Sequence, residues 1–133
     1  IGRLPPPGPS GKLDARVDVE PATLKIGADP ELMAQALINL LRNAIRATGD
    51  CAKPCVRFEI SRQSRGQFRI EIRDNAPGIP EDRREDIFLP FYTTHKGGSG
   101  VGLSFARQVA LAHGGSISAA DAPEGGASLI MVI

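Results

Sequence analysis

The sequence predicts an α+β fold, a two-layer α/β sandwich whose mixed, mostly antiparallel sheet is covered on one face by about three helices. Three observations predict it. Residues 29–48 form one long stretch with apolar residues at helical spacing. Residues 56–60 and 68–72 alternate strictly between apolar and charged across a glycine-containing turn, which marks an antiparallel hairpin with one buried and one wet face. Strand and helix signals are interleaved, but the crossover units of a doubly wound parallel fold are not evident. At 133 residues the chain is long enough for one domain with a real core.

Taken in order, residues 1–12 carry four prolines and three glycines without periodicity, an extended linker stiffened by Pro5, Pro6 and Pro7. Because the first residue is Ile1 rather than Met, a preceding segment is expected, and residues 13–133 form the folded domain. Residues 15–19 alternate as a strand that Pro21 ends, and residues 23–26 read as a short second strand broken by Gly27. Asp29 before Pro30 is a helix start, a carboxylate cap followed by proline where its missing N–H costs nothing. Leu37, Leu40, Leu41, Ala44 and Ile45 form the buried stripe, and Gly49 is the expected stop. After the hairpin, residues 80–88 read as a short helix with Ile87 and Phe88 turned inward. Residues 89–100 are too rich in glycine and threonine for regular structure. A helix over 101–113, with Leu103, Val109 and Leu111 among its apolar residues, is closed by Gly114 and Gly115. Residues 116–120 and 127–133 make a final strand pair.

Composition excludes several function classes. Sixteen basic against fifteen acidic residues leave a net charge of +1, which gives no footprint for nucleic acid or an anionic membrane. No apolar run approaches the roughly eighteen residues of a membrane span. Cys51 and Cys55 lack the spacing and neighbours of a metal site and read as reduced thiols in a surface turn, as in a cytosolic protein without a signal segment.

Three groups could carry chemistry. Asn39 and Asn43 lie one helical turn apart, and Arg46 continues their face. Amide oxygens suit Mg²⁺, and an arginine beside them suits a terminal phosphate; two solvated asparagines on a surface helix are the plainer alternative. Asp74 ends a strand where its carboxylate could accept from an exocyclic amine such as adenine's, and Gly78 would let a planar base approach the backbone. The plainer reading there is an Asx-type turn. Residues 97–102 bring bare N–H groups to a helix start, as phosphate binding requires, without a Walker or Rossmann pattern. Lys96 adds a cation to that loop, and Thr93 and Thr94 add hydroxyls. His95 and His113 have no neighbouring acid at triad-like spacing and are not expected to be catalytic.

Joined in this order, these pieces resemble the catalytic ATP-binding domain of bacterial sensor histidine kinases, in the ATPase superfamily shared with gyrase, the heat-shock chaperone and the MutL proteins. Residues 39–47 resemble the asparagine box, residues 74–79 the first glycine box, residues 88–94 the phenylalanine box and residues 98–103 the second glycine box. Residues 125–128 resemble the closing glycine-threonine element, with Ser128 in the hydroxyl position. The resemblance implies a Bergerat-type fold binding ATP and Mg²⁺. Asn43 would hold the metal with Asn39 assisting, and Arg46 would meet phosphate. Asp74 would recognise the adenine amine with Gly78 beneath the ring, and residues 89–100 would form a mobile lid. Gly98, Gly100 and Gly102 would lie against phosphates, with Ile79, Thr93, Thr94, Lys96, Val101, Leu103 and Ser128 completing the nucleotide contacts. Ala76 departs from the family's usual glycine, which would weaken nucleotide binding if that position needs a positive φ.

The hydrolysing members of the superfamily carry a glutamate where this chain has Asn39. An amide takes no proton at neutral pH, so transfer is expected rather than hydrolysis. The resemblance therefore implies a protein-histidine kinase acting on a histidine of an upstream dimerisation and phosphoacceptor domain, and through it on a response regulator. This fragment would bind ATP without labelling itself. It would touch neither nucleic acid nor membrane, in the cytoplasm, even if the parent is membrane-anchored. An anti-sigma-type serine kinase and a non-enzymatic nucleotide sensor are the alternative readings.

Overall fold

A computed structural model describes residues 14–20 (15–20 by backbone alone), 29–63, 66–90, 102–123 and 125–133. The expected linker over 1–12, the strand over 23–26 and the stretch 91–101 lie outside the described residues. The described chain runs β1 (Asp14–Glu20), α1 (Pro30–Ala47), β2 (Cys55–Arg62), β3 (Phe68–Asp74), α2 (Gly102–Ala112), β4 (Ser116–Asp121) and β5 (Ala127–Val132). The sheet order is β1-β2-β3-β5-β4, with β1 and β2 parallel and every other pair antiparallel. The α+β sandwich is therefore as expected. One difference is the β1–α1–β2 unit, a single parallel crossover that sequence reading did not credit.

Helix α1 starts as its first residues dictate. Asp29 Oδ1 accepts from the amides of Glu31 (3.0 Å) and Leu32 (3.1 Å), and Pro30 occupies the first turn. The helix ends where expected, with Thr48 as its cap and Gly49 just beyond: fully buried Thr48 donates its hydroxyl to Ile45 O at 2.9 Å. Met33, Ala36, Leu40 and Ala44 of α1 and Ala106, Val109 and Ala110 of α2 cover Val56, Phe58, Ile70, Ile72, Leu129 and Met131 of the sheet. Each fully buried large side chain, such as Leu40 or Ile70, contributes roughly 1.5–3 kcal/mol of transfer free energy. Leu111, expected among the apolar residues of the second helix, is 53% exposed, because the inward stripe of α2 falls on the two alanines and Val109.

The two helices run in opposite directions. His113, just past α2, meets the start of α1, its Nε2 accepting from the Asp29 amide (3.1 Å) while Nδ1–H donates to Val109 O (2.7 Å). Both bonds require the neutral ring with its proton on Nδ1, since a backbone N–H only donates and a carbonyl only accepts. His113 is thus a structural tie between helix ends. Residues 80–88 form two short 3₁₀ turns, Glu81–Arg83 and Asp86–Phe88, rather than one helix; Ile87 and Phe88 are buried as expected.

The face of the sheet away from the helices is not simply wet. Glu71 is only 9% exposed there. It accepts from Arg69 Nη1 (2.7 Å), Arg73 Nη1 (3.4 Å) and Ser128 Oγ (2.5 Å), while Arg73 Nη2 also reaches Glu59 (3.0 Å). Burial by itself pushes the Glu71 carboxyl up, but the Ser128 hydroxyl and the two guanidiniums outweigh it and hold it below its ordinary 4.5. The unfolded chain then binds that proton more readily, so the stabilisation is complete above the unfolded value and is lost as pH falls through the folded one. Glu71→Gln should therefore make the thermal midpoint vary less between about pH 5 and pH 3 than it does in the parent. An unchanged pH dependence would contradict this role for the cluster.

Candidate functional site

The site is built where β3 ends against the β4–β5 turn. Side chains along β3 alternate, so Asp74 falls on the same face as Ile70 and Ile72, the face the helices cover. Asp74 is 4% exposed, and its Oδ1 accepts from the amides of Ala76 (3.0 Å) and Ala127 (3.1 Å). Two main-chain donors from two different segments fix the orientation of this carboxylate. Close approach makes that possible: a Cβ on Gly126 would stand 2.3 Å from Asp74 O, 2.4 Å from its Oδ1 and 2.8 Å from the Ala76 amide. A Cβ built on Gly78, which sits at φ +90°, would lie 3.7 Å from the Gly126 backbone. An L side chain at Gly78 would be strained in that conformation.

The flanks of this turn are also tied down. The Asn75 side chain accepts from the Cys55 amide (2.9 Å) and donates to Lys53 O (2.8 Å), while the Cys51 thiol donates to Asn75 O (3.6 Å). Neither cysteine is in a disulfide and both are partly buried; Cys55 opens β2 instead of lying in the expected surface turn. On the other flank Arg84 Nε donates to Ile79 O (3.3 Å), and its Nη2 pairs with Asp121 Oδ1 (2.6 Å). Ala76, buried at 6% exposure, contributes its amide to Asp74.

Helix α1 supplies the second wall. Asn39 and Asn43 are partly buried one turn apart, and Arg46 is exposed at the last turn. A Cβ on Gly102 would lie 3.7 Å from the Asn39 side chain, so the first turn of α2 is stacked directly on this asparagine. Bare amides at the start of α2 and amide oxygens from α1 are therefore neighbours. Ile79 and Leu103 are partly buried and pack against the core. Among the described residues, no cluster of three or more His, Cys, Asp or Glu could hold a metal; the amides of Asn39 and Asn43 carry oxygens of the kind Mg²⁺ takes. The fit to Mg²⁺ is good, because that ion takes few protein ligands when phosphates complete its shell.

The expected set divides four ways. Asp74, Gly78 and Ile79 come together at one end, and Asn39 and Gly102 at the other, with Asn43, Arg46 and Leu103 on the same helices. Thr93, Thr94, Lys96, Gly98, Gly100 and Val101 lie outside the described residues. Ser128 stands apart from these. Its neighbours Ala127 and Leu129 are buried on the helix-covered side, whereas its own hydroxyl donates to Glu71 on the opposite face, pointing away from the Asp74 carboxylate. A shift of one residue along a strand reverses the side chain's face, and the residue beside Asp74 is Ala127. Gly126 and Ala127 lie within the 125–128 element that the sequence marks, but their contacts with Asp74 were not expected, and neither was any role for Arg84. The Gly-Gly pair was a signal for the first two; nothing in the charged run over 81–86 singles out Arg84.

Residues 28–133 match the family model described as histidine kinase-, DNA gyrase B-, and HSP90-like ATPase. The C4-dicarboxylate transport sensor protein DctB of Rhizobium meliloti (strain 1021) is 34% identical over 117 residues, which cover 87% of this chain and 19% of that protein. The chain thus spans about a fifth of that relative's length. Among solved structures, the nucleotide-free catalytic domain of histidine kinase ThkA superposes with a TM-score of 0.80 at 32% identity, over 91% of this chain and 79% of that one. ThkA in complex with the response regulator protein TrrA gives a TM-score of 0.76 at 31% identity, over 91% and 34% of the two chains. Among the described residues, no helix is long and apolar enough to cross a membrane.

Proposed function

Because the chain belongs to the family of histidine kinase-, DNA gyrase B- and HSP90-like ATPases, and within it is an ATP-binding catalytic domain of the sensor histidine kinase type, we propose that it holds ATP with Mg²⁺ for γ-phosphoryl transfer to a histidine on a separate upstream domain. The observation that carries this reading is the buried Asp74 carboxylate, oriented by the amides of Ala76 and Ala127 beside the glycine at position 78. A carboxylate has more acceptor sites than those two donors use, so it can also accept from the exocyclic amine of adenine. Ile79 and Leu103 border the base.

The phosphates lie toward α1 and α2. Amides at the Gly102 end of α2 donate to phosphate oxygens, and Arg46 meets the terminal group. Gly98, Gly100, Val101, Thr93, Thr94 and Lys96 belong to the loop that closes over them. The amide oxygen of Asn43, with Asn39 assisting, is what this chain offers to Mg²⁺, whose chemistry there is neutralisation of phosphate charge. Asn39 also supports transfer over hydrolysis, since its amide cannot take a proton from water. The partners are then an upstream dimerisation and phosphoacceptor domain and, through it, a response regulator. Their setting is the cytoplasm.

Asn43→Ala tests the assignment. With radiolabelled ATP and a histidine-bearing helical-hairpin domain supplied in trans, transfer should fall by at least about a hundredfold, because a metal ligand and its transition-state charge compensation are lost. Transfer at the parental rate would refute the role of Asn43. Binding of ATP with no transfer by the parent protein would instead favour a nucleotide sensor.

A further inference from the structure

We infer that Arg84 is a positioning residue for nucleotide binding, and that it works as a bracket between Ile79 and Asp121. This rests on the reading of Asp74–Ile79 as the adenine wall. Besides the close approach of Gly126, two polar ties among the described residues join the segment from Asp74 to Ile79 to the β4–β5 hairpin. One is Asp74 Oδ1 on the Ala127 amide (3.1 Å). The other is Arg84, whose Nε donates to Ile79 O (3.3 Å) and whose Nη2 reaches Asp121 Oδ1 (2.6 Å). Asp121 and Ala127 are register partners across β4 and β5. The contacts therefore close a ring: from Asp74 to Ala127, across the ladder to Asp121, through Arg84 to Ile79, and back past Gly78.

The ion pair alone is a poor source of stability, because the Asp121 side chain is 85% exposed. Its consequence is geometric. Arg84 is 24% exposed and its planar fork is held by the carboxylate at one end, so its Nε–H is aimed at a carbonyl one residue beyond Gly78. Gly78, at φ +90°, has the widest conformational freedom in the segment, and fixing the next carbonyl removes much of it before ligand arrives. Order present in the free protein does not have to be created on binding, and this raises affinity.

Arg84→Ala, Asp121→Ala, the double variant and Arg84→Lys test the proposal, with Asp74→Asn as control. Dissociation constants for ATP and ADP would be measured by calorimetry, and thermal midpoints alongside. Arg84→Ala should weaken both nucleotides equally, by roughly three- to tenfold, with the midpoint within about 2 °C of the parent. Asp121→Ala should fall between the two, and the double variant should be no weaker than Arg84→Ala, because both act through one bracket. Arg84→Lys keeps the charge but not the aimed Nε–H and should recover only part of the loss. Unchanged affinity in Arg84→Ala, with Asp74→Asn impaired, overturns the bracket and leaves the site standing. A loss larger for ATP than for ADP overturns it too, since it would mean direct phosphate contact. If the parent binds neither nucleotide, the adenine wall itself is wrong and the bracket falls with it.

Discussion

Asp74→Asn is expected to weaken ATP binding by about ten- to a hundredfold, the loss of a hydrogen bond to a charged group of roughly 1.5–3 kcal/mol. The asparagine oxygen can still accept from the amides of Ala76 and Ala127, which preserves both of these ties. What changes is the second position on the side chain. An NH₂ group there donates, and it would face the donating amine of adenine across a site that is 4% exposed and so offers little water in compensation. The discrimination between ATP and GTP should shrink with it, which competition of each nucleotide against labelled ATP reads directly. Unaltered affinity and unaltered preference would place the base elsewhere.

Gly126→Ala should be the most damaging single methyl in the described site. With a Cβ 2.3 Å from Asp74 O and 2.4 Å from its Oδ1, backbone rather than a flexible side chain is in the way, so β5 or the end of β3 must move. Overpacking of this kind costs about 1–3 kcal/mol, and here the same displacement pulls the Ala127 amide off Asp74. Chemical denaturation should show the stability loss, and nucleotide titration should show binding falling at least as far as in Asp74→Asn. A variant with parental stability and affinity would mean that the close approach of these two segments is not needed.

The parts of the fold that could be read from sequence were those whose signals are local. Asp29-Pro30 and the stripe through Leu40 and Ala44 specify α1 without reference to the rest of the chain, and strict alternation over 56–60 and 68–72 specifies β2 and β3. What escaped depends on partners far along the chain. The parallel seat of β1 beside β2 leaves no periodic trace in either strand. Glu71 reads as the solvent position of an alternating strand, and only the roof of Arg69, Arg73 and Ser128 buries it.

The site shows the same division. Asp74, Gly78, Asn39 and Gly102 stand out as residue types in particular places, and the structure sets Asp74 and Gly78 against Gly126 and sets Gly102 against Asn39. The Ser128 hydroxyl meets Glu71 while Ala127 meets Asp74, because neighbouring positions of a strand face opposite sides of the sheet. Arg84 was invisible for another reason. Six consecutive residues, 81–86, are charged, and which one is consequential is decided by Asp121, thirty-seven positions away.

On the proposed function, Asp74 with its glycine turn and α1 with the start of α2 together hold ATP and Mg²⁺. Calorimetric titration of the protein with ATP, with and without Mg²⁺, tests it most directly. One saturable site is predicted, tighter with Mg²⁺ than without it and lost to the extent stated when Asp74 is replaced by asparagine. No binding at millimolar ATP, or binding indifferent to both Mg²⁺ and Asp74, would contradict the account.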